Sequence, residues 1–139
     1  MKSVIRIAAF ALAAALPAWA ADEEVDVNPA MAAATSWLAI LDGQRYGDSW
    51  EEASPLFKGA TPKLQWEVSA QSVREPLGPV SGRKMRSANY TRTLPGAPAG
   101  EYVVIQYDTS FANRPYSTET VTPSKEKDGS WKVSGYYIR

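Results

Sequence analysis

Apolar and polar positions follow three rhythms along this chain, and each predicts a different kind of element. The first is a solid apolar block. MKSVIRIAAFALAAALPAWA carries Lys2 and Arg6, an apolar run from Ile7 to Leu16, then Pro17 and the small-x-small box Ala18-Trp19-Ala20. A basic start, an apolar run and a cleavage box in that order predict a signal peptide over residues 1–20. The run is too short to span a bilayer, which takes about 20 apolar residues. The acidic stretch ADEEVDV, residues 21–27, reads as a flexible leader.

The second rhythm is helical. Asn28-Pro29 has the form of an N-cap followed by proline in the first turn. Ala30, Ala34, Trp37 and Leu41 then share one stripe. A helix is expected from Pro29 to Asp42, stopped by Gly43. In LDGQRYGDSW, residues 41–50, Asp48 stands three residues before Glu51, the spacing of a capping box. Tyr46, Trp50, Ala53 and Phe57 recur at helical intervals, with Ser54-Pro55 restarting or kinking the segment. Thr61-Pro62 opens a third segment to about Glu75, with the stripe Trp66, Ala70, Val73 and Leu77.

From Val80 the rhythm becomes two. Strands are expected over Arg83–Leu94, Glu101–Phe111, Tyr116–Thr122 and Trp131–Ile138. In the second, Val103, Ile105, Tyr107, Thr109 and Phe111 lie on one face. Asp128-Gly129 is a hairpin signal. Pro123 cannot donate to a ladder and marks a bulge or a strand end. In the last strand Trp131 and Val133 share one face while Tyr136 and Ile138 fall on the other, so a bulge at Gly135 would switch sides. Helices first and strands afterwards predict an α+β domain over residues 28–139. Three helical segments would pack on one face of a curved four-stranded antiparallel sheet.

Composition narrows the chemistry. The chain has no histidine and no cysteine. Ser-His-Asp and Cys-His catalysis are excluded, and no zinc or other imidazole- or thiolate-held metal is expected. No disulfide supports the fold, and no cofactor motif is present. Removing the first 20 of 139 residues leaves 119, with thirteen basic and fifteen acidic side chains. Such a balance does not suit a nucleic-acid binder. No stretch after residue 20 is long and apolar enough to span a bilayer. The expected destination is the bacterial periplasm or the exterior, after cleavage near Ala20.

The segments WLAILDGQRYGDSW, REPLGPVSGRKM, LPGAPAGEYVVIQYDTSF, ETV and DGSWKVSGYYIR resemble the bacterial DUF4019 family over about residues 30–139. That family has no assigned function, so the resemblance implies no catalytic residue. The order of helices and curved sheet is also similar to NTF2-like and cystatin-like folds, a likeness of architecture alone.

Candidate sites follow from residue type and placement. Tyr46, Trp50, Tyr107 and Glu119 are candidates for a ligand pocket between helices and sheet. Glu119, set among β-formers in TETV, is the best candidate for a buried carboxylate; an outward glutamate is the alternative. Arg83, Lys84 and Arg86 in GRKMRSANYTR are candidates for anion binding, or for a strand edge protected by charge. Arg74 and Arg83 flank the turn EPLGPVSG, placed to bond loop carbonyls or to pair with Glu75, Asp108 or Glu119. An acid/base site would draw on Asp42, Asp108 or Glu119 with Tyr46, Tyr90 or Tyr107 as donors. No complete catalytic set emerges. The expected function is a non-catalytic module that binds a small ligand, a glycan or an envelope protein. An acid/base enzyme and anionic-glycan or membrane-surface binding through residues 83–92 are the alternatives.

Overall fold

Proline and serine set the helix boundaries. The computed structural model describes residues 24–139, so the predicted signal peptide and residues 21–23 lie outside the described part. Helix α1 spans Asn28–Asp42, α2 Tyr46–Glu51, α3 Pro55–Ala60 and α4 Lys63–Leu77. The Ser54 hydroxyl accepts the Phe57 N–H at 3.1 Å. This N-cap separates α3 from α2, so Ser54-Pro55 divides the expected second segment into two short helices.

Other caps differ from expectation. Val27, not Asn28, is the N-cap of α1, and the Asn28 N–H donates to Asp26 Oδ1 at 3.0 Å. Gly43 follows α1, but the left-handed residue is Gln44, at φ 61°. The capping box does not form. Asp48 lies inside the first turn of α2 and accepts from Arg45 at 2.8 Å, while Glu51 accepts from Lys63 at 2.9 Å. Helix α2 already begins at Tyr46 with Arg45 at its N-cap, so Asp48 does not occupy the capping position.

The strands are β1 (Val80–Thr91), β2 (Tyr102–Phe111), β3 (Arg114–Lys125) and β4 (Trp131–Ile138). They pair in that order as one antiparallel meander. Strand β1 begins and ends three residues earlier than expected, and β3 is longer at both ends. The period of two on β2 holds: Val103, Ile105, Tyr107, Thr109 and Phe111 are all buried. The register between β3 and β4 slips between Thr122 and Pro123, which face Gly135 and Val133. Ser134 is the extra residue. The slip needs no N–H from Pro123, and it lets both Val133 and Tyr136 join the core.

That core is aromatic. The Trp37 ring centre lies 5.3 Å from Tyr136, 6.0 Å from Trp66 and 6.2 Å from Phe57. Val103, Ile105, Tyr107, Val121 and Val133 cover this group from the sheet side. The Trp37 indole donates to the Ser49 carbonyl at 2.8 Å and Trp66 donates to the Ser49 hydroxyl at 2.9 Å. The α4 stripe is only partly as expected. Trp66 and Ala70 face inward, but Val73 is 50% exposed and its neighbour Arg74 is buried instead. Strand β4 ends the sheet, and the Ser54 N–H donates to the Val133 carbonyl at 2.9 Å, which covers part of that edge.

The corner from α4 to β1 docks on the turn between β2 and β3. Asn113 N–H donates to Leu77 O, and Ala112 N–H to Pro79 O, both at 2.9 Å. Between them Gly78 has φ 74° and ψ −176°, a backbone region essentially confined to glycine. A Cβ there would stand 3.1 Å from Ala112 Cβ and 3.2 Å from Asn113 Nδ2. Gly78→Ala is expected to destabilise the fold by about 1–3 kcal/mol. Urea unfolding checks this, as a lower midpoint at unchanged slope.

Candidate functional site

Asp42 is the last residue of α1, where a carboxylate meets the unfavourable end of the helix dipole. Two guanidinium groups offset that cost. Arg74 Nη2 donates to Oδ1 at 2.7 Å, and Arg83 donates to both carboxylate oxygens at 2.8 and 3.0 Å. Arg83 Nε also donates to Glu119 Oε1 at 2.7 Å. The same oxygen accepts from Thr109 Oγ1 at 2.6 Å, and Glu119 Oε2 accepts from the Tyr136 hydroxyl at 2.5 Å. The Arg74 guanidinium lies 5.1 Å from the centre of the Phe111 ring. Its Nε and Nη1 are buried with no acceptor among the described residues.

These six side chains come from α1, α4 and all four strands. Two carboxylates and two guanidiniums make the cluster neutral, and Glu119 at its centre is 0% exposed. Burial of so many charges is tolerated only because each carboxylate is saturated with donors. The cluster joins the helical layer to the sheet where aromatic packing gives way to polar residues.

The protonation states follow. Burial alone would raise the Asp42 pKa, but the hydrogen bonds from Arg83 and Arg74 prevail and hold it below its ordinary 3.8. Burial pushes the Tyr136 hydroxyl up, and the charge on Glu119 pushes it further. Burial works against the charge on Arg83, yet its bonds to Asp42 and Glu119 keep it protonated. At neutral pH Asp42 is therefore ionised and Tyr136 neutral. Because the folded value for Asp42 lies below the unfolded one, its contribution to stability is complete above about pH 4. It is lost as pH falls through the folded value. Unfolding measured from pH 7 down to pH 2 should show this acid limb, and Asp42→Asn should flatten it.

The structure separates several residues grouped by sequence. Tyr107 and Glu119 stand opposite each other in register, both on the inward face. Tyr46 lies elsewhere, in a cleft of about 330 Å³ lined with Asp42, Arg74, Glu75 and Gln44. Trp50 donates its indole N–H to the Thr61 carbonyl at 2.7 Å, with Lys58 5.3 Å from its ring centre. The four do not line one pocket, because aromatic side chains fill the middle of the helix–sheet interface. Nor do the three cations form one strip. Arg83 turns inward to Asp42 and Glu119. A bulge places Arg86 between Met85 and Ser87, where it pairs with Asp108. Lys84 faces out. Of the partners considered for Arg74 and Arg83, Glu119 is one that Arg83 takes, and Asp42, on a helix far away in sequence, binds both. The inward position of Arg74 was hidden by its exposed neighbour Val73, whereas that of Tyr136 follows from the change of side expected at Gly135, which the structure places at Ser134.

The outer side of the sheet, away from the helices, carries an open groove of about 610 Å³. Lys84, Asp108 and Thr118 stand in register across β1, β2 and β3. Arg139 continues the row through two backbone hydrogen bonds with Thr118, each 2.9 Å. Gly82 and Ser110 line the groove beside this row, and Tyr116, 91% exposed, rises from it.

The geometry defines a two-layer α+β domain whose layers are joined by a buried, neutral ion cluster. The chain belongs to the family described as "Protein of unknown function (DUF4019)", which matches residues 33–136 and so contains every member of the cluster. No curated protein matches the chain. Among the described residues no helix is long and apolar enough to cross a membrane.

Proposed function

We propose that this chain is an exported, non-catalytic binding module of the bacterial envelope. The observation that carries this reading is the commitment of the inward acid/base groups. Asp42 is bound by two arginines, and Glu119 accepts from an arginine, a threonine and a tyrosine. A general acid or base works best with a pKa near the operating pH and a path to substrate. Asp42 is held well below that range, and Glu119 is sealed from solvent. Asp108, a third carboxylate considered for acid/base work, is exposed and paired with Arg86. The leader of residues 1–20 supports export, and the open hollows on the surface support binding there.

Two measurements test this. Fractionation of the full-length chain should place a mature form beginning at Ala21 in the periplasm; retention of residues 1–20 in the cytoplasm would contradict export. Thermal unfolding with fractionated envelope extract should reveal saturable stabilisation, since a ligand at 100 times its Kd adds about 2.7 kcal/mol. Turnover of a substrate by the wild-type chain, abolished in a folded Glu119→Gln variant, would replace this reading with an enzyme.

A further inference from the structure

We infer that the outer face of the sheet binds an acidic polysaccharide, along the row from Lys84 to Arg139. The inference rests on the reading of the chain as a binding module and names its ligand class. All four helices lie on the other side, so this face has no cover from the described chain. Arg86 is neutralised by Asp108. Lys84 and Arg139 have no ion-pair partner among the described residues, and they bracket the row at opposite edges of the sheet. Three inter-strand steps of about 4.8 Å put their backbones roughly 14 Å apart. One small anion does not reach both. A chain carrying negative charges at intervals does.

The floor and rim favour a sugar polymer over a lipid surface. The floor offers the hydroxyls of Ser110 and Thr118 beside bare Gly82, hydrogen-bonding groups for a hydroxyl-rich ligand. Membrane binding draws on buried apolar area together with charge, and Tyr116 is the one large aromatic side chain lining this groove. Its exposed ring, and that of Tyr137, 5.5 Å from the Arg139 guanidinium, provide flat surfaces against which sugar rings stack.

Isothermal titration of the mature chain with a hexagalacturonate probe tests the inference. Saturable binding is expected, weakening at least tenfold between low and physiological salt. Neutral maltohexaose should not bind. Lys84→Gln/Arg139→Gln and Tyr116→Ala should each weaken binding at least tenfold with an unchanged melting temperature, because all three side chains are exposed. The inference fails if the acidic oligosaccharide does not bind or if the Lys84/Arg139 variant binds it as well as wild type. It also fails if inorganic phosphate competes at equal affinity, or if phosphatidylglycerol vesicles bind and the oligosaccharide does not. In those cases stabilisation by another envelope fraction would leave the binding-module reading standing. Substrate turnover would remove both.

Discussion

Replacing Glu119 with alanine should cost about 3–5 kcal/mol of folding stability, the range found when one partner of a buried ion pair is removed. For a domain of this length that is a fall in melting temperature on the order of 10 °C or more. The size follows from what is left behind. Arg83 keeps Asp42 but loses the acceptor for its Nε, and the hydroxyls of Thr109 and Tyr136 lose theirs around a position that is 0% exposed. Glu119→Gln should cost less, because an amide oxygen still accepts, although it no longer answers the charge on Arg83. Arg83→Met and Glu119→Leu together should cost less than the sum of the two single changes, since the pair is then replaced by apolar volume. Urea unfolding followed by circular dichroism measures the four single variants and the double. A cost below about 1 kcal/mol for Glu119→Ala, within the range of an exposed ion pair, would contradict the burial described.

Trp37→Ala should be comparably severe, at about 3–5 kcal/mol, the range for deleting a large buried aromatic. Trp37 is 3% exposed and touches Phe57, Trp66 and Tyr136, so its loss opens a cavity between α1 and the sheet. It also removes the donor to the Ser49 carbonyl. Trp37→Phe separates the two effects: much of the volume remains, and about 1–3 kcal/mol is expected for the carbonyl left without its donor. Matching slopes in urea would show that both variants unfold from the same compact state. Trp37 and Tyr136 lie at opposite ends of the described chain, so these losses report on docking of the helices against the last strand.

Much of this docking is legible in the sequence because periodicity reports on burial. The alternation on β2 and the stripe of Ala30, Ala34, Trp37 and Leu41 on α1 both mark core faces. Pro123 and Gly135 betrayed the bulge through two local conflicts, a missing N–H and a change of inward parity. The ion cluster was less visible, for a physical reason. An arginine in a sequence reads as a solvated charge, and nothing local to Arg74 or Arg83 shows that Asp42 lies within reach. Pairing across 32 and 41 residues is a property of the fold. Asp42 carries a weak local signal, an acid at the wrong end of a helix, which makes sense once its two partners are seen. The capping box failed because α2 begins before Asp48, at Tyr46, which leaves that carboxylate inside the first turn and not at the N-cap.

That the inward charges hold the layers together, and do not perform acid/base chemistry, is the claim on which the functional reading turns. Carbon-detected NMR titration of the Asp42 side-chain carboxyl tests it most directly. The expected midpoint lies below the ordinary 3.8, with the acid-induced loss of stability following it, because Arg83 and Arg74 hold the carboxylate ionised. A midpoint shifted upward toward neutrality would mean that the arginines do not hold it, and that this carboxyl is poised to exchange protons with a substrate.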